Sequence, residues 1–220
     1  MSITRPIPPA DTAQDPAVVD PPTETETGST PAFDGASLAG RNIAFLIAAE
    51  GAEESEVLRP WEAVTTAGAR ATLVCPQEGE AQLFDHLDRA TRLPVDVTLD
   101  AANAADYDAL VLPGGVANPD FLRLDADATR FARAFFAAGK PVAAICHAPW
   151  LLVEADLVRG RALTSWPSLR TDIGNAGGAW RDEPVVLDNQ GPNMLVTSRK
   201  PQDLPEFCDA LVRCFEGRGR

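Results

Sequence analysis

Positive charge is in short supply: 19 Lys and Arg stand against 32 Asp and Glu in 220 residues, a formal net charge of −13. That balance argues against a nucleic-acid backbone as a partner, and the acidic surface mainly keeps the chain soluble. The sequence also lacks any run of about eighteen apolar residues, so no segment reads as a membrane-spanning helix. Near the start, Arg5 is not followed by an apolar stretch, so no secretory signal is expected and a cytoplasmic, reducing setting is the default. The four cysteines (Cys75, Cys146, Cys208, Cys214) are far apart and form no C-x-x-C pair, which argues against a zinc knuckle or a disulfide scaffold. No metal and no cofactor is called for. Histidine is rarer still, with only His86 and His147.

What is present is ordinary for a soluble α/β protein: 45% hydrophobic and 23% charged residues. Residues 1–38 hold seven of the nineteen prolines with many Thr and acidic residues. Such a segment cannot bury enough surface to offset its ordering entropy, and it reads as a disordered tail. Residues 40–217 read as one domain.

Within that domain apolar runs alternate with helical patterns. Arg41–Ala48 and Ala71–Cys75 read as buried strands; Val57, Trp61 and Val64 lie between them at helical spacing, with Gly68 as the stop. This is a βαβ unit, and it requires a parallel sheet. Over Gln77–Leu99, the apolar pieces Ala81–Phe84 and Val95–Leu99 flank a polar bend, the pattern of a hairpin beside the main sheet. Ala109–Leu112 is a strand ending in Pro113-Gly114-Gly115, and Asp127–Ala138 a helix stopped by Gly139. Val142–Ile145 is the next strand, followed by a helix over Leu151–Val158, a short strand at Ala162–Thr164 and a short helix over Pro167–Asn175. A hairpin (Val185–Leu187 with Met194–Thr197) and an amphipathic helix, Pro205–Glu216, close the chain. The whole is a doubly wound, three-layer α/β/α sandwich.

Ligands in such folds bind outside the carboxyl ends of the strands. Three strand ends carry unusual chemistry. After Val142–Ile145 comes Cys146, then His147, with Pro149 suited to a first helical turn: the layout of a nucleophile elbow. A helix beginning there would favour thiolate over thiol. His147 can act as the base or ion-pair partner of the sulfur. At the first strand end, Glu53, Glu54 and Glu56 crowd one turn; one carboxyl aimed at the thiol would have a raised pKa and donate to sulfur, and spacing does not say which. At the third, Gly114 and Gly115 supply backbone N–H groups of the kind an oxyanion hole needs. The other cysteines read as core, and His86 as surface.

Five segments together carry a resemblance: Ala52-Glu53-Glu54-Ser55-Glu56, Asp108–Gly115, Asn118–Arg123, Ala143–Pro149 and Val196–Arg199. In order and spacing, residues 42–215 resemble the PfpI branch of the DJ-1/PfpI superfamily, a flavodoxin-like sandwich with a mainly parallel sheet, whose members are described as intracellular proteases, stress proteins and deglycases. The resemblance implies Cys146 as nucleophile, Glu56 as its protonated carboxyl partner and His147 as base. It implies Asp120, contributed by a second subunit, as the acid orienting His147, and backbone groups of Gly115 and His147 as the oxyanion hole beside Gly114. It further implies a homodimer or a ring of dimers. Two departures stand out: Ala148 replaces the glycine that commonly follows Cys-His, and Asp120 is a methylene shorter than the Glu of some relatives.

The expected activity is that of a stress-response hydrolase or lyase acting on small reactive carbonyls or glycated amines. The alternatives are a cysteine peptidase and a redox sensor in which Cys146 is oxidised to a sulfinic acid. A class I glutamine amidotransferase shares the elbow but needs a late His-x-Glu, and no histidine follows His147.

Overall fold

The computed structural model describes residues 37–217. The tail expected over residues 1–38 lies outside them save for Ser37 and Leu38, and Leu38 is fully buried in the core. Buried, β-branched and apolar runs form the centre of a seven-stranded sheet. β1 (Asn42–Leu46) lies between β3 (Arg70–Cys75) and β7 (Ala109–Leu112), and β8 (Val142–Ile145) follows β7. Beyond β8 come β12 (Leu195–Ser198), parallel to it, and β11 (Val185–Asp188), antiparallel; the two-residue β6 (Val97–Thr98) closes the other edge beside β3.

The period of two along each strand builds two cores at once. Ile43, Phe45, Val111, Ala143 and Ile145 face the layer of α1 (Glu54–Thr66) and α6 (Leu204–Glu216). Ala44, Leu46, Leu110, Leu112, Val142 and Ala144 face the other layer, which includes α2 (Ala117–Leu124), α3 (Ala126–Ala137), α4 (Pro149–Glu154) and α5 (Arg170–Asn175). The helices start and stop for local reasons. Asp125 caps α3 by accepting from the N–H groups of Asp127 and Ala128, and Gly68, at φ +95°, turns the chain out of α1.

Two small sheets sit on this frame. β9 (Ala162–Leu163) pairs parallel with β10 (Ala179–Trp180). β2 (Glu50–Glu53), β4 (Glu80–Asp85) and β5 (Asp88–Pro94) form the third sheet. The hairpin expected in Gln77–Leu99 is there, but its second strand is the polar Asp88–Pro94 stretch, whereas Val97–Thr98 joins the main sheet. Residues of β5 are largely exposed, so alternation carries no apolar signal in them, and ladder hydrogen bonds decide the pairing. The carboxylate-rich turn also differs from expectation: Glu50–Glu53 is a strand paired with β4, and α1 begins at once. The helix expected over Leu151–Val158 stops at Glu154, because the chain turns at Asp156, whose φ is +52°.

Near β9 lies a buried ion pair that sequence patterning could not show. Arg161, 4% exposed, donates from Nε to Asp188 Oδ1, from Nη1 to the Asn193 side chain, and from Nη2 to the carbonyls of Asp188 and Asn193. Asp188 Oδ2 accepts from the Ala162 N–H at 2.8 Å.

Candidate active site

β8 ends at Ile145, and Cys146 takes φ +61°, a left-handed conformation that costs a non-glycine residue about 1–2 kcal/mol. The strain is held from both sides: the Cys146 N–H donates to Ser198 O at 3.0 Å, and its carbonyl accepts from the Trp166 N–H at 2.8 Å. Pro149 then opens α4 at its first turn. This is the strand–turn–helix elbow expected from the sequence. Ala148 follows in helical conformation (φ −52°) and is buried, so its methyl packs into the core and needs no glycine.

His147 places Nδ1 3.2 Å from Cys146 Sγ. Its ring is stacked on Trp166 (5.7 Å between centroids, 23° between planes) and tilted against Trp150 at 5.3 Å. Burial lowers its pKa to about 4, so the imidazole is neutral at pH 7 and free to accept a proton from sulfur.

Of the three early carboxyls, Glu56 is the one at the thiol. It is fully buried and accepts from the Gly114 N–H at 2.9 Å through Oε2, while Oε1 has no nitrogen or oxygen partner. Burial, and next the charge of Glu53, raise its pKa to about 8, against weaker lowering by hydrogen bonds with Cys146, Gly114 and Gly115. At neutral pH Glu56 is therefore protonated and can donate to sulfur. The tightness of the junction explains Gly114: a β-carbon there would lie 2.6 Å from Cys146 Cβ and 2.8 Å from Ile145 O, besides meeting the Glu56 carboxyl.

The thiol itself departs from expectation. Burial raises its pKa, with the Glu56 charge next, outweighing hydrogen bonds from the Gly115 and His147 N–H groups. α4 has only six residues, and its dipole does not overcome the removal of Cys146 from water. The Glu56 contribution applies only while that carboxylate is ionised. Once Glu56 is protonated its O–H favours the thiolate instead, so the two groups titrate as a pair. The resting site is neutral: thiol, carboxylic acid and imidazole.

A cavity of about 210 Å³ opens onto Cys146 and His147. Glu53, His86, Leu87, Val116, Trp166 and Pro201 also line it. Larger hollows of about 490 and 530 Å³ lie elsewhere and contain no histidine. His86 and Trp166 did not stand out in the sequence. Trp166 arrives through the loop after β9, and His86 through the β4–β5 turn; the scarcity of histidine was the one available signal for the second. Asp120 lies on the exposed side of α2, paired with Arg123 at 2.7 Å, and Arg123 in turn lies 4.9 Å above the Trp150 ring. Within one chain Asp120 does not touch His147.

A strained cysteine at a strand end, a buried acid against it and an adjacent neutral histidine now stand together, and the DJ-1/PfpI family signature matches residues 41–214. The chain belongs to the DJ-1/PfpI family. It is 40% identical over 173 residues to Protein/nucleic acid deglycase 2 of Escherichia coli K12, covering 79% of this chain and 96% of that one. It is 36% identical over 155 residues to YraA of Bacillus subtilis, whose name proposes a cysteine protease, covering 70% and 87%. Among solved structures, a two-domain Anabaena variabilis protein with DJ-1/ThiJ/PfpI-like and ferritin-like domains superposes with TM-score 0.72 at 32% identity. That match covers 81% of this chain and 49% of the larger protein. Like its DJ-1/PfpI relatives, the chain is a mixed α/β fold on a mostly parallel sheet. No helix among the described residues is long and apolar enough to cross a membrane.

Proposed function

We propose that this DJ-1/PfpI protein is a cysteine-dependent enzyme acting on small reactive carbonyls, or on the adducts they form with amines. The observation that carries the reading is the small cavity at a buried thiol, 6% exposed, flanked by a neutral base and a protonated acid. A two- or three-carbon dicarbonyl fits such a space, whereas a polypeptide backbone needs an open groove. The deglycase name of the Escherichia coli relative points the same way.

In the proposed reaction His147 Nδ1 takes the thiol proton as sulfur attacks the aldehyde carbon. The carbonyl oxygen gains negative charge and is held by the Gly115 and His147 N–H groups. Returning the proton to oxygen completes the hemithioacetal. Moving the C1 proton to C2 and the hydroxyl proton from the C1 oxygen to the C2 oxygen, with Glu56 and His147 as carriers, turns it into a 2-hydroxy thioester. Water then releases the 2-hydroxy acid and restores the thiol. With a glycated amine, the amine is the group expelled. A peptidase reading draws on the YraA name and uses the same residues. Assay of the full-length protein with methylglyoxal, a glycated peptide and unmodified peptides separates the two. Turnover of unmodified peptides alone overturns the carbonyl reading, and oxidation of Cys146 without any turnover leaves the redox sensor.

The pH dependence follows from the two shifted groups. Below about pH 4, His147 is protonated and cannot accept the thiol proton; above about pH 8, Glu56 is ionised and no longer donates. The kcat/KM profile is expected to be bell-shaped with limbs near these values. Glu56→Gln keeps a donor without an ionisable proton, so the alkaline fall near 8 should disappear; a limb that persists there belongs to another group.

The orienting acid completes the proposal. Asp120 of a second copy would approach His147 in a homodimer or ring of dimers. Asp120→Asn should lower kcat about ten- to a hundred-fold with little change in oligomeric mass, by analogy with the loss of other second-sphere carboxylates. Unchanged kcat in a stable oligomer removes Asp120 from the machinery.

A further inference from the structure

We infer that Glu53, Asp85 and His86 form a binding site for a divalent transition-metal cation of the zinc class, at the β4–β5 turn on the rim of the thiol cavity. One carboxylate oxygen from each acid and a ring nitrogen of His86 all lie within 4.8 Å of one another. His86 Nδ1 is 3.4 Å from Glu53 Oε1 and 3.2 Å from Asp85 Oδ1. An ion bound tetrahedrally at about 2.0–2.1 Å holds neighbouring ligands roughly 3.3–3.4 Å apart, so two of the three edges already stand near coordination spacing. An imidazole with two carboxylates suits zinc, cobalt or nickel rather than the all-oxygen preference of calcium and magnesium.

Of the three, Glu53 is the one withdrawn from water. Its side chain is only 10% exposed, and His86 is its sole ion-pair partner among the described residues. Although it sits at the N-cap of α1 it makes no capping hydrogen bond; Oε2 instead accepts the His86 N–H at 3.1 Å, and Oε1 meets only the His86 ring nitrogen. A carboxyl this far from water needs a donor or a counter-charge on each oxygen. Three acceptor atoms converging on one point need something positive between them: a metal ion, or a proton on Nδ1. The site borders the cavity that holds Cys146, through Glu53 and His86, but uses neither the thiol nor His147. It stands apart from the proposed carbonyl chemistry.

The full-length protein, stripped with a chelator, would be titrated with Zn²⁺ by calorimetry and with Co²⁺ by absorbance. One equivalent should bind, and His86→Gly and Asp85→Asn should each weaken binding at least ten-fold. His86→Gly suits the left-handed backbone (φ +56°) at that turn, so loss of binding there cannot be put down to misfolding. The cobalt bands should lack thiolate charge transfer and survive Cys146→Ala. Absence of saturable binding would mean a proton fills the place. Binding unchanged in His86→Gly, or a spectrum that requires Cys146, would also overturn the site.

Discussion

Cys146→Ala should reduce methylglyoxal turnover to background, a loss on the order of a thousand-fold or more, while the melting temperature stays level or rises. The proposed reaction begins with a bond to sulfur, and none of the other three cysteines lines the cavity. Cys75, Cys208 and Cys214 are buried elsewhere in the core, away from His147 and Glu56. Alanine keeps the left-handed backbone but takes the buried sulfur away from the Glu56 carboxyl, and removing a functional group commonly stabilises a protein. Cys146→Ser is a sharper control: it keeps the shape and offers a hydroxyl far less acidic than a thiol. Residual turnover in the alanine variant above a tenth of wild type would show that the cavity activates water without a covalent step.

The second large effect is on stability. Asp188→Ala should cost about 3–5 kcal/mol, because it leaves the Arg161 guanidinium buried without its counter-charge. For a chain of this size that lowers the midpoint of thermal unfolding by roughly 6–20 °C. The pKa of Asp188 is lowered even though burial, the largest single influence, pushes it up; the Ala162 N–H and the Arg161 side chain together prevail. A lowered acid contributes stability that is present above its unfolded value and lost as pH falls through the folded one. The wild type should thus lose this contribution only in acid below about pH 4, a dependence that Asp188→Ala removes. The double variant Arg161→Met/Asp188→Leu should recover part of the loss, since no charge is left stranded. A single variant as stable as wild type would mean water reaches Arg161.

The sheet was legible in the sequence because its strands are buried on both faces. Ala109–Leu112 and Val142–Ile145 are continuous apolar runs bounded by Pro and Gly, and the structure reproduces those bounds. The elbow was legible for the same reason, since a strand that ends in Cys-His-x-Pro leaves few alternatives. The choice of Glu56 over Glu53 was not, because it depends on which face of α1 the core takes. Spacing put Val57 and Val64 on that face, and Glu56 shares it. The state of the thiol was misjudged because local sequence shows the nearby helix but not the depth of burial. The β5 strand was missed because exposed polar strands have no hydrophobic period. Trp166 and His86 reach the cavity only through tertiary folding, from loops about 20 and 60 residues away along the chain.

The β4–β5 hairpin is rooted in the core by Ala81 and Leu83, while Leu87 at its tip is 90% exposed. Its turn therefore borders the cavity without being tied to the elbow's packing. Mutational drift at positions 86–88 can reshape what enters the cavity while the thiol, acid and base stay where they are. Under the proposed chemistry, such a layout separates the inheritance of reactivity from the inheritance of selectivity.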